Sequence, residues 1–179
     1  MPWKNGQGKT IELLKKNIAN SDKFLWRLSM ADVTTDGPFS NFSGYNRTLV
    51  LLSGHGMTLE HEHSARNELR QPLQCATFAG DENTVAMLHN GPIVDFNIMT
   101  RSGDCQAVVK TAASEQLIPE SGDEIFIYAV GSSLTIKSAT QQTTLEPKHL
   151  LRVNERDAKM TCSGGPSIVV IIKYTNNAR

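Results

Sequence analysis

Net charge is the first thing this sequence lacks: 18 Lys and Arg stand against 18 Asp and Glu over 179 residues. Without an overall positive field, nothing in the composition steers the chain toward nucleic acid or an anionic membrane. Local positive patches remain, and they suit small ligands better than a polyanion. Long apolar runs are missing too. Stretches such as 49–52 and 168–172 hold four and five apolar residues, against the roughly 20 that a membrane-spanning helix needs. The opening Met1-Pro2-Trp3-Lys4-Asn5-Gly6 contains no apolar stretch, so no secretory signal is expected. The three cysteines, Cys75, Cys105 and Cys162, are odd in number and widely spaced, with no Cys-x-x-Cys pair. They predict no zinc site or redox motif and fit free thiols in a reducing cytoplasm.

What is present is a succession of short extended segments punctuated by turns. Phe24–Val33 is rich in strand formers, and the 34–46 stretch after it carries Asp36-Gly37-Pro38, Asn41, Ser43 and Gly44, a loop composition. Residues 47–52, 57–63 and Ile93–Arg101 follow as further strands. In the second part, residues 123–130, 133–138, Leu150–Val153 and Ser167–Tyr174 repeat the style, separated by Gly131, Glu146-Pro147 and Ser163-Gly164-Gly165-Pro166. Many short strands with turns at roughly 8–12-residue spacing predict an all-β sandwich or barrel. The best boundary lies in 104–122, giving halves 1–103 and 104–179 with no low-complexity linker between them. Residues 10–18 stand apart, because Ile11, Leu14 and Ile18 have helix-like spacing.

Four blocks in order carry a resemblance. They are Met1-Pro2-Trp3-Lys4-Asn5-Gly6-Gln7-Gly8; Trp26-Arg27-Leu28-Ser29 with Gly37-Pro38-Phe39-Ser40 and Arg47-Thr48-Leu49; Phe78-Ala79-Gly80-Asp81; and Gly91-Pro92-Ile93-Val94-Asp95-Phe96-Asn97-Ile98-Met99. Together they resemble the HutD/Ves family. The motifs cover 1–103, whereas 104–179 matches only in strand pattern and length. The resemblance implies a bicupin, two packed cupin-like antiparallel β-barrels or sandwiches in one compact chain. It also favours an extended segment over a helix at 10–18. It further implies a link to histidine utilisation without an established chemistry: members of the HutD branch govern that pathway and bind a formylated glutamate intermediate, and Ves-like members are associated with stress, so a non-enzymatic cytoplasmic regulator is expected. Gln7 stands where the family has glycine, which makes the opening loop less pliable than usual.

Three motifs need weighing. Gly8-Lys9-Thr10 suggests a phosphate loop, but the pattern Gly-x-x-x-x-Gly-Lys-[Ser/Thr] requires a glycine at position 3, where Trp3 stands. His61-Glu62-His63 followed by Glu68 has the His-x-His-x4-Glu spacing of metal-binding cupins, with His89 as a further ligand candidate. If Leu59 faces the interior, both imidazoles do too, and Glu68 across the hairpin completes a facial triad. The alternative is a solvated hairpin tip, for the segment 60–67 is highly polar and Cys75 occupies the place where the cupin motif expects glycine. The third pattern is a set of polar rows. Arg27 and Ser29 alternate away from Trp26 and Leu28, Asp95 and Asn97 share a face with Met99, and Arg47 heads a strand with Leu49 and Leu51.

If these rows converge, the arginines would grip carboxylates and Asn97 would read an amide. The alternative is an internal Arg27–Asp95 salt bridge among surface residues. Ser29 has no His/Asp pattern that would make it a nucleophile. The expected ligand set is Lys4, Asn5, Arg27, Ser29, Arg47, Asp95 and Asn97. It would hold a small anionic metabolite without a cofactor or resident metal, in the first half, with the second half buttressing it. A metal-dependent cupin enzyme using His61, His63 and Glu68 is the alternative, and a homodimer is left open.

Overall fold

The computed structural model describes residues 8–119, 121–154 and 160–175. Every regular element among them is a strand, and the strands pair antiparallel in several sheets. Among the described residues no helix is long and apolar enough to cross a membrane. The chain divides into two units, Met1–Cys105 and Gln106–Arg179.

The first unit is built from β1 (Gly8–Asn17), β2 (Phe24–Val33), β3 (Gly37–Pro38), β4 (Tyr45–Ser53), β5 (Met57–His61), β6 (Asn67–Leu69), β7 (Cys75–Ala79), β8 (Thr84–Leu88) and β9 (Ile93–Arg101). They form a five-stranded sheet in the order β1-β2-β9-β4-β7 and a four-stranded sheet in the order β3-β8-β5-β6. Alternate residues point to opposite faces of a strand, and one alternate set fills the core. Ala31, Leu49, Leu51 and Phe78 from the larger sheet share an apolar cluster with Met57 and Leu59 from the smaller.

Strand β1 explains its own misleading pattern. Ile11 pairs with Met30 and Leu14 with Leu28, while the register shifts between Glu12 and Leu14. Leu13 is thus the extra residue of a β-bulge. Without it, residues three apart would face opposite sides; with it, Ile11 and Leu14 share one. The helix-like spacing is a strand's alternation with one residue inserted.

The second unit comprises β10 (Cys105–Ala112), β11 (Gln116–Ile118), β12 (Glu124–Ala129), β13 (Leu134–Lys137), β14 (Gln142–Leu145), β15 (Leu150–Val153), β16 (Met160–Ser163) and β17 (Ser167–Tyr174). Its two four-stranded sheets run β10-β17-β12-β15 and β11-β16-β13-β14. All of β12 is buried, as is β17 up to Ile172, which is why these strands read as continuous apolar runs rather than alternating ones. Ile125, Ile127, Val169 and Ile171 meet Leu134 and Ile136 in a wholly apolar cluster.

Candidate functional site

The larger sheet of the first unit lays its polar residues out in register. Met99 on β9 has Arg27 opposite it on β2 and Arg47 opposite it on β4, and Arg47 in turn faces Phe78 on β7. The next row is Ser29–Asn97–Leu49, and the one after is Ala31–Asp95–Leu51. Directly opposed residues share a face, so Arg27, Ser29, Arg47, Asp95 and Asn97 all lie on the side that carries the interior cluster.

Their bonding is ordered. Arg47 is 6% exposed. Its Nη2 donates to Asn97 Oδ1 at 3.0 Å, and its Nη1 reaches the Ser40 carbonyl at 3.5 Å. The Asn97 amide then donates to Asp95 Oδ1. Three rings pack around the same cation, with Phe39, Phe42 and Phe78 centroids 5.0, 5.5 and 5.1 Å away, distances at which ring faces attract it. Arg27 donates to the Met99 sulfur at 3.3 Å and lies 5.3 Å from Phe24 and 5.2 Å from Phe42. Phe42 therefore touches both guanidiniums. Gly80 holds the Phe42 loop in place: Phe42 N–H donates to the Gly80 carbonyl at 2.6 Å, and Gly80 N–H donates to the Tyr45 carbonyl at 2.7 Å.

Neither arginine forms an ion pair with a carboxylate among the described residues, and the Arg27–Asp95 salt bridge weighed as the alternative is not made. The Nε atoms of Arg27 and Arg47 and Oδ2 of Asp95 are buried without a hydrogen-bond partner among the described residues. Burial pushes the Asp95 carboxyl up to about 7, against the pull of Arg47 and the Asn97 hydrogen bond, with a further upward push from Asp32. Burial also draws Arg47 down to about 10, opposed by Asp95 and aided by Arg27. Arg27 is lowered by burial as well, with Glu12 and Tyr45 raising it. Two cations thus stand side by side, with Asp95 offsetting Arg47 and Glu12 offsetting Arg27, neither as a direct ion pair.

Ser29 is buried opposite Asn97. Lys4 and Asn5 lie outside the described residues. The aromatic cage was not anticipated. Phe78 follows from the alternation of β7, whereas Phe39 and Phe42 sit in a loop, where Phe39 is marked by its family block and Phe42 only as a large apolar ring among glycine, serine and asparagine.

The cupin-like histidines do not converge with Glu68. His61 points inward from the end of β5, its ring 5.0 Å from that of Phe78. Both its nitrogens are engaged, Nδ1 with the Thr84 hydroxyl and Nε2 with Asn67 Oδ1, each at 2.9 Å. His63 lies beyond the strand with its side chain 80% exposed. Glu68 pairs with Thr58, so it faces the opposite side of the sheet from Leu59 and His61, and it binds Arg66 and Arg70 at 3.2 and 2.9 Å. His89 binds the Thr58 hydroxyl at 2.9 Å. The hairpin register breaks the triad of the alternative reading, and no group of three or more His, Cys, Asp or Glu among the described residues is placed to hold a metal.

A family model described as HutD matches residues 1–170. An uncharacterized 21.2 kDa protein in the hutC 3′ region of Pseudomonas putida is 31% identical over 142 residues, 79% of this chain and 74% of that one. Protein Ves of Escherichia fergusonii is 40% identical over 111 residues, 62% of this chain and 57% of that protein. Among solved structures, HutD from Pseudomonas fluorescens SBW25, in a formate condition, superposes with a TM-score of 0.84 at 27% identity, covering 98% of this chain and 94% of that one. A cupin 2 conserved barrel domain protein from Leptotrichia buccalis, at 6% identity and a TM-score of 0.56 over 94% and 89% of the two chains, shares the fold alone.

Proposed function

This chain belongs to the HutD family, and we propose that it is a non-enzymatic binding protein that holds a small carboxylate, such as N-formylglutamate, against Arg27 and Arg47 in connection with histidine utilisation. One observation carries this reading: two neighbouring guanidiniums, one of them almost fully buried, without a carboxylate partner among the described residues. Burying charge without a counterion is costly, and a planar carboxylate satisfies a guanidinium's donors in pairs. The two orphaned Nε atoms supply donors, and the half-buried Phe42 ring is the element that yields to admit the ligand. The hutC-region origin of the Pseudomonas putida relative agrees with this setting.

The test is a thermal-shift titration with N-formylglutamate, formate, glutamate and urocanate. A bound ligand raises stability as RT ln(1 + [L]/Kd), about 2.7 kcal/mol at a hundredfold excess over Kd. Arg27→Ala and Arg47→Ala are each expected to abolish the shift, since truncating one partner of a buried charge pair costs about 2–5 kcal/mol. An unchanged melting temperature with all four acids sinks the reading.

A further inference from the structure

The bonds within the arginine cluster say more than that it attracts anions. Arg47 reaches Asp95 through the Asn97 amide, whose oxygen accepts from the cation and whose nitrogen donates to the carboxyl. That fixes Asp95 Oδ1 as an acceptor. Oδ2 is buried and unpartnered among the described residues, and its residue is 1% exposed. The residues facing Asp95 across the strands are Ala31 and Leu51, neither of which has a polar side chain to bond it.

We propose that this site takes up its carboxylate together with one proton, which Asp95 holds in the complex; the proposal rests on reading the cluster as a carboxylate site. With Asp95 ionised, its charge serves as an internal counterion to Arg47 at one amide's remove. An arriving carboxylate competes for the same cation and adds a like charge nearby. Two carboxylates sharing one site do not both stay ionised. The proton comes from solvent, an O–H bond forms at Asp95 Oδ2, and no other bond is made or broken. Oδ2 then becomes a donor, which an oxygen of the ligand can accept.

The surrounding groups leave Asp95 as the one placed to respond. Arg47 and Tyr45 come from β4, the Tyr45 hydroxyl donating to the Phe24 carbonyl at 3.0 Å; Arg27 and Asp32 come from β2; Glu12 and Lys15 stand on β1 opposite Ser29 and Arg27 and pair with each other at 3.2 Å. β7 contributes only Ala76 and Phe78 to this face. From the facing sheet, His61 on β5 has both nitrogens engaged, while Asn67 and Leu69 on β6 and Thr84, Ala86 and Leu88 on β8 do not titrate. The carboxyl is already held near neutrality by burial, so a modest added charge is enough to protonate it.

The experiment is calorimetric titration of the whole chain with N-formylglutamate in two buffers of different ionisation enthalpy at each pH, HEPES and Tris at pH 8.0 and MES and piperazine at pH 5.5. Close to one proton taken up per ligand is expected at pH 8.0 and close to none at pH 5.5, with affinity falling about tenfold per pH unit on the alkaline side. Asp95→Asn should bind with no proton uptake at either pH. Binding at pH 8.0 without uptake, or undiminished uptake in Asp95→Asn, overturns the proposal and leaves the carboxylate site standing. No binding at either pH removes the carboxylate site and this proposal with it. If Asp95→Asn does not fold, the 13C titration of the Asp95 carboxyl in the native sequence decides. Its midpoint should rise on adding ligand, and a midpoint that stays put overturns the proposal.

Discussion

In the first unit a five-stranded sheet faces a four-stranded one, and the interior row of the larger sheet runs through Arg27, Met99, Arg47 and Phe78 with Asn97 and Asp95 beside it. In the second unit two four-stranded sheets face each other, and the matching interior is Ile125, Ile127, Val169 and Ile171. A cavity of about 270 Å³ in that unit mixes Ile136, Leu151 and Met160 with Gln141, Asn154 and a single charged residue, Arg152. One strand plan thus stands on aliphatic packing in one unit and tolerates two cations and a carboxyl in the other. The plan does not need the charges. Their desolvation is costly, and what they offer in return is chemistry the apolar interior lacks.

The comparison can be broken most severely from its apolar side. Ile127 is fully buried, so Ile127→Ala should cost about 2–5 kcal/mol in urea denaturation; a loss under 1 kcal/mol would mean that the second interior is less well packed than its burial indicates. Making the first interior resemble the second is the next test. The triple change Arg47→Met, Asn97→Leu and Asp95→Leu replaces a bonded polar chain by apolar groups of similar size. It should leave stability unchanged or raise it by about 1–4 kcal/mol, with carboxylate binding lost. Marked destabilisation would show the charges to be structural.

The gentlest test is pH. The native Asp95 carboxyl is raised to about 7 and the unfolded one titrates near ~3.9, so the folded state holds the proton more tightly. The stability this group contributes is fully present below about pH 4 and is lost as pH rises through about 7. Denaturation midpoints of the native sequence and Asp95→Asn should therefore diverge in pH dependence between pH 4 and 8. Parallel profiles would show that Asp95 titrates normally.

Much of this was legible beforehand, for reasons the comparison also supplies. Phe24–Val33 and Ile93–Arg101 are strands with the expected bounds, because a strand with one polar and one apolar row declares its period. Leu150–Val153 and Ser167–Tyr174 were equally plain. The polar rows could be assigned to faces for the same reason. What could not be read was anything set by register or by a loop. The bulge at Leu13 disguised β1 as a helix. The five residues between His61 and Asn67 decide which side of the sheet Glu68 takes, and composition does not encode that choice. Phe39 and Phe42 reach the arginines from a segment with no period at all.

Gly80 has no side chain, yet it narrows what evolution can do with this site. A Cβ there would fall 2.5 Å from the Phe42 carbonyl oxygen and 2.7 Å from that of Tyr45, closer than such atoms are tolerated, and both are backbone atoms that cannot swing aside. Any replacement moves the loop and, with it, the ring that two cations share. The residues of the loop itself can drift toward other rings and other ligands one step at a time. Position 80 offers no such path, so new specificities on this scaffold have to be reached around a fixed glycine.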